Sequence, residues 1–239
     1  MANSTYVIPV KETLVSAWEN VSGTKGTVWG AIGIFFLVAI CLGVLAGIVK
    51  AITPNAEFII KSIANVVGYF MQMGILYIGI KHAQKAPINY RMVFHAFDWG
   101  IAVKIVLLYI IQFIIYLPVI LFMVVGTLLY GLSPTTGPLA MLSILSYIAA
   151  AALLVYLSVR ISISMAFVLD KEVQPMDAVK SSFHATRGNF WHLLAIFILQ
   201  FIVIAISAIP LGIGLIWTIP FGLICYGTVY NRLQTNSKA

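Results

Sequence analysis

The chain has 239 residues, 62% of them hydrophobic and 9% charged, with a mean hydropathy of +1.04 and a formal net charge of +7. Soluble domains carry about a quarter charged residues, so a chain this poor in charge cannot clothe a water-facing surface. An outer-membrane barrel is excluded as well, because no stretch alternates apolar and polar residues as a barrel strand does.

The expected class is therefore all-α: a polytopic membrane protein forming a single integral membrane domain over residues 1–239. In chain order, apolar runs long enough to cross a hydrocarbon core by helix are predicted at about residues 28–49, 58–80, 101–129, 139–169, 191–209 and 211–230. The first begins near Val28 and exceeds the about 7–15 residues of a signal-peptide core, so it is expected to remain as an anchor. Pro118 is an expected bend in the third span. The last two spans share one apolar tract, broken at Ile209-Pro210-Leu211-Gly212, where proline's missing amide hydrogen predicts a tight hairpin.

Short amphipathic segments precede the first, third and fifth spans. After Pro9, residues Val10, Leu14, Ala17, Trp18 and Val21 share a helical face; after Pro87, Tyr90, Val93, Phe94 and Phe97 do; after Pro175, Met176, Val179 and Phe183 do. Such helices are expected to lie along the membrane interface, apolar side in the acyl chains. Trp18, Trp29, Trp99, Trp191 and Trp217 mostly flank spans, as interfacial anchors do.

Two of these segments resemble one another. Phe94-His95-Ala96 and Phe183-His184-Ala185 are followed by Gly100 and Gly188; Pro87 and Gln112-Phe113-Ile114 are matched by Pro175 and Gln200-Phe201-Ile202, all 88 or 89 residues apart. A fainter copy starts at Pro9, and the three units close on Gln84, Gln174 and Gln234. The pattern reads as repeat units 9–84, 87–174 and 175–234, each a short helix and two spans. An even number of spans makes the copies parallel, with every short helix on the same side.

Lys11, Lys25, Lys81, Lys85, Arg91, Lys104, Lys171, Lys180, Arg187, Arg232 and Lys238 fall on that side, against Lys50 and Lys61 on the other. This bias predicts that both termini are cytoplasmic. The dispersed cations face anionic headgroups, which makes membrane phospholipids the expected partners and not nucleic acid. A homo-oligomer or a membrane-protein partner is compatible with the same features.

Arg160 lies inside the fourth span, where a charge is costly and marks a site. Tyr156 and Ser164, four residues to either side, place it on one face toward the bundle. With no carboxylate inside the spans, its expected partners are a carbonyl, a glutamine, boundary Asp98 or Asp170, or a lipid phosphate. A structural arginine and a lipid-headgroup site both fit. Lys180, His184, Arg187 and His95 would join such a site at the headgroup boundary, where histidine titrates. Gln72, Gln112 and Gln200 sit within spans and serve either as interhelical bonds or as a polar path.

His82, His95, His184 and His192 lack metal-ligand spacing, and Cys41 and Cys225 lie in apolar runs, so neither metal nor cofactor is expected. Without a nucleophile elbow, a P-loop or paired intramembrane carboxylates, the expected protein is not an enzyme. It engages lipid or organises the envelope; the alternative is a small-solute transporter or channel along the glutamines.

The stretch RISISMAFVLDKEVQPMDAVKSSFHATRGNFWHLLAIF at 160–197, together with GLIWTIPFG at 214–222, resembles a class of bacterial six-helix inner-membrane proteins. That class is related to the membrane domain joined to some glycerophosphodiester phosphodiesterases. The resemblance implies a six-helix inner-membrane fold and carries over no catalytic residue.

Overall fold

The computed structural model describes residues 7–53, 56–132, 137–209 and 212–236. In order they form α1 (Val10–Glu19), α2 (Lys25–Ile52), α3 (Glu57–Ala83), a 3-10 helix (Tyr90–Phe97), α4 (Trp99–Leu132), α5 (Pro138–Ile161), α6 (Ser164–Lys171), α7 (Pro175–Ala185), α8 (Phe190–Ala208) and α9 (Leu215–Asn236). No strand occurs among the described residues. The expected hairpin at Pro210-Leu211, the first residue of the span at 211 and Lys238 lie outside them.

Five helical stretches are long and apolar enough to cross a membrane: Gly26–Ile52, Glu57–Ala83, Trp99–Leu132, Pro138–Lys171 and Phe190–Ala208. Their outward faces expose large apolar side chains such as Leu37, Phe113, Leu121 and Phe201, as lipid-facing helices do. The chain is thus a multi-pass membrane-type helical protein. α9 is not among the five. Its second half carries Thr228, Asn231, Arg232 and Gln234, and its inner face is buried from Phe221 to Leu233, so packing substitutes for lipid contact.

Local chemistry sets the ends. Asp98 caps α4, its Oδ1 accepting from Gly100 N at 3.0 Å. Pro138 and Pro175 occupy first turns, where no amide hydrogen is needed. Gly188 takes φ +81 between α7 and α8, a conformation that disfavours a side chain. α4 runs without interruption through Pro118.

The fourth span departs from expectation. Its helix stops at Ile161 and restarts at Ser164, so Tyr156, Arg160 and Ser164 do not share one continuous helical face. The carbonyls released by the break find hydroxyls instead. Ser182 Oγ donates to Arg160 O at 2.8 Å, Ser164 Oγ to Ile161 O at 2.7 Å and Tyr226 OH to Ser162 O at 2.8 Å. A broken helix at membrane depth persists only when its backbone is satisfied in this way.

The short elements also differ from simple interfacial helices. The segment after Pro87 is a 3-10 helix, and three residues per turn bring Val93 and Ala96 onto one buried ridge and leave Phe94 and Phe97 exposed on the next. Ala17 and Val21 of the first segment, and Ala178, Val179 and Ala185 of α7, are buried against protein and not against acyl chains. Small side chains on these faces let the helices approach the bundle closely.

The short elements sit on the long helices. The 3-10 helix packs chiefly on α3, with contacts to α2 and α4; α7 packs on α6 and α4, with a contact to α5; and α1 packs on α9 and α8. The short elements gather at one end of the bundle: Ile8 N donates to Asn189 Oδ1 at 2.8 Å, and His82 Nε2 reaches Asn20 O at 2.9 Å. Between them α3 and α9 cross with little separation. A Cβ on Gly79 would stand 2.7 Å from Leu223 O, and one on Gly227 2.6 Å from Gly79 O, distances that only glycine permits.

Candidate functional site

Arg160 is the penultimate residue of α5 and lies beneath α7. Its Nη1 donates to Thr186 Oγ1 at 3.0 Å, and its guanidinium carbon lies 5.1 Å from the centre of the Phe183 ring. Thr186 Oγ1 itself donates to Ser182 O at 2.7 Å, which turns its lone pairs toward the arginine. Arg160 Nε is buried without a hydrogen-bond partner. The first partner of this charge is thus a threonine hydroxyl and an aromatic face, and neither Asp98 nor Asp170. A cation over a ring in a desolvated setting gains about 2 kcal/mol or more.

Tyr156 does not join Arg160 through a hydrogen bond; its ring lies 5.7 Å from that of Phe190. Ser164 is buried and accepts from Gln112 Nε2 at 3.0 Å. Lys180 and His184 are exposed at i and i+4 on the outer side of α7, and Arg187 is exposed in the turn just beyond its end. The inner side of the same helix supplies Phe183 and Thr186 to Arg160. His95 lies elsewhere, stacked on Tyr77 at 3.8 Å between centroids, with Nε2 3.3 Å from Leu169 O.

The three glutamines are not gathered. Gln112 bridges α4 to Ser164, Gln200 bonds Gly222 O at 3.3 Å between α8 and α9, and Gln72 lines a cavity between α2 and α3. The first two satisfy an amide against a neighbouring helix.

A second polar cluster was not foreseen. Lys81 Nζ meets Asp170 Oδ1 at 2.8 Å, Tyr230 OH donates to Asp170 Oδ2 at 3.0 Å, and Gln234 Nε2 donates to Tyr230 OH at 2.7 Å. Lys81 also lies 5.1 Å from the centre of the Tyr77 ring, whose other neighbour is His95. The Asp170 side chain is only 6% exposed, so both its oxygens depend on these donors. The sequence signal was present but unused: an acid and a base, each at the end of an apolar run, both on the short-helix side. The cluster ties α3, α6 and α9 together.

Among the described residues no group of three or more His, Cys, Asp or Glu side chains converges as a metal site. Comparison with protein-family models, with curated proteins and with solved structures finds no match to this chain.

Proposed function

We propose that this is a six-span, non-enzymatic inner-membrane protein that holds anionic phospholipid at its cytoplasmic face, with α7 as the contact. The observation that carries the reading is the two-sidedness of α7. Lys180 and His184 stand exposed on its outer side, and Arg187 in the turn that follows it, while its inner side holds Arg160, whose Nε has no partner. Cations at this depth meet phosphates, each worth about 1 kcal/mol near an anionic surface.

In this reading α9 is the sixth span, tolerated despite its polar residues because its inner face is enclosed. The order of short helix and two long spans, three times over, supports the parallel repeat over 9–84, 87–174 and 175–234. Even parity then puts both termini on the cytoplasmic side. The resemblance of residues 160–197 to six-helix inner-membrane proteins agrees with this layout. The separate bonding of Gln112 and Gln200 favours lipid engagement over a shared polar path.

The test is native mass spectrometry of the full chain with phosphatidylglycerol and phosphatidylcholine. Lys180→Gln with Arg187→Gln is expected to reduce retention of the anionic lipid by about tenfold and leave the zwitterionic lipid unchanged. Equal retention of the two lipids by the unaltered protein would overturn the reading.

A further inference from the structure

At the end away from the short elements, α2 and α3 part to leave a cavity of about 640 Å³. Its volume lies in the about 300–1,000 Å³ range of small-molecule sites. The two walls differ in kind. The α3 wall carries Glu57, Lys61, Asn65 and Gln72, a polar stripe on one helical face; the α2 wall is apolar, with Leu42, Ala46, Gly43 and Gly47. Asn65 and Gln72 are exposed into this space and bond to no other described residue. They lie about 12 and 22 Å along α3 from Glu57, at 1.5 Å per residue, so the stripe descends toward the middle of the helix.

Lysines crowd the mouth. Glu57 accepts from Lys61 Nζ at 2.6 Å and from Lys50 Nζ at 3.2 Å. One carboxylate between two ammonium groups leaves a net positive charge, and each ammonium retains N–H donors not engaged by Glu57. The lysine side chains are 62% and 63% exposed, whereas that of Glu57 is 19% exposed, so the cations face outward and the acid lies behind them. An unbonded amide facing hydrocarbon is costly, so a stripe of this kind requires water or a polar ligand beside it.

We infer that the α2–α3 groove binds one anionic phospholipid of the leaflet opposite the short helices. Its phosphate sits at Lys50 and Lys61, its glycerol-ester region lies against Asn65, and its acyl chains leave through the open side between the helices. Water fills the groove down to Gln72. Gly43 and Gly47 shape the apolar wall, since a Cβ at either would meet nothing within 4 Å and would only narrow this space. The site is at the opposite end from α7 and stands independently of the proposal made there.

The test uses the full chain in native mass spectrometry, with phosphatidylglycerol, phosphatidylcholine and inorganic phosphate as separate probes. Lys50→Gln with Lys61→Gln is expected to weaken the retained phosphatidylglycerol about tenfold. Glu57→Gln, which frees both ammonium groups, is expected to strengthen retention, an outcome that loss of a merely structural ion pair would not give. Gly43→Leu with Gly47→Leu should evict the lipid from a protein that still folds, whereas Gly33→Leu, outside the groove, should not. Unchanged retention in the glycine pair overturns the proposal, as does weakening by Glu57→Gln. Displacement of the lipid by millimolar inorganic phosphate would make the site one for a free anion and overturn it equally. The α7 variants remove a different bound lipid, so the two losses are counted separately and together when combined.

Discussion

Lys81 and Asp170 meet at 2.8 Å although 89 positions separate them in the chain. The pair fastens the end of α3 to the end of α6, and Tyr230 adds α9 to the same carboxylate. Removing one partner from a buried pair leaves an uncompensated charge. Asp170→Leu is therefore expected to destabilise the protein, by less than the about 3–5 kcal/mol of a fully enclosed pair because the Lys81 side chain is 22% exposed. Adding Lys81→Met should recover much of the loss, as read from thermal unfolding in detergent; no recovery would show that Asp170 acts chiefly through Tyr230.

The crossing of α3 and α9 depends on absent side chains. Gly79→Leu and Gly227→Leu force the helices apart and should cost about 1–3 kcal/mol or more each. Gly33→Ala, with open space around it, should be neutral or mildly stabilising by helix propensity. The same unfolding measurement separates the two cases.

The break between α5 and α6 relies on hydroxyls from other helices. Tyr226→Phe removes the donor to Ser162 O and should destabilise by about 1–3 kcal/mol. Ser182→Ala does the same at Arg160 O. Amide exchange within residues 160–166 should rise in both variants, and an unchanged pattern would mean that water already serves these carbonyls.

Thr186→Val removes the acceptor from Arg160 Nη1 while keeping the shape of the side chain. The guanidinium is then held only by the Phe183 ring. Stability should fall by about 1–3 kcal/mol, and Thr186→Ser should retain most of it. Loss in both variants would point to packing of the Thr186 methyl group instead.

The parity of the spans makes a sidedness prediction. In a background of Cys41→Ser and Cys225→Ala, single cysteines at Glu19, Glu172 and Ser181 should react with an impermeant thiol reagent from one side of the membrane, and a cysteine at Ile52 from the other. Labelling of Glu19→Cys and Glu172→Cys from opposite sides would break the parallel arrangement.

The apolar runs were legible because length and composition alone decide whether a segment suits hydrocarbon, and five of the expected spans have matching helices to within a few residues. The interruption at Ser162-Ile163 was not, since neither proline nor glycine marks it, and two of the three hydroxyls that satisfy its carbonyls, those of Ser182 and Tyr226, lie far away in sequence. The 3-10 character of Tyr90–Phe97 was equally hidden: a period of 3.6 groups Tyr90, Val93, Phe94 and Phe97, whereas the period of three buries Val93 with Ala96 and leaves the aromatic residues exposed, and no residue type marks the change. Arg160 was conspicuous by its charge, but Thr186 and Phe183 were not readable as its partners: a hydroxyl and a ring serve a cation only once α7 is laid across it. Lys81 and Asp170 each looked like ordinary boundary charges, and only the convergence of three helix ends makes them a pair.

The seating of α1 on α8 and α9 orders biosynthesis. α1 is made before α8 and α9 and finds its resting place only when they follow, so Ala17 and Val21 wait without that hydrophobic shelter while the intervening helices are synthesised. Closure of the circle is then a late event, and a polypeptide that stops short of Leu215 leaves its own beginning adrift.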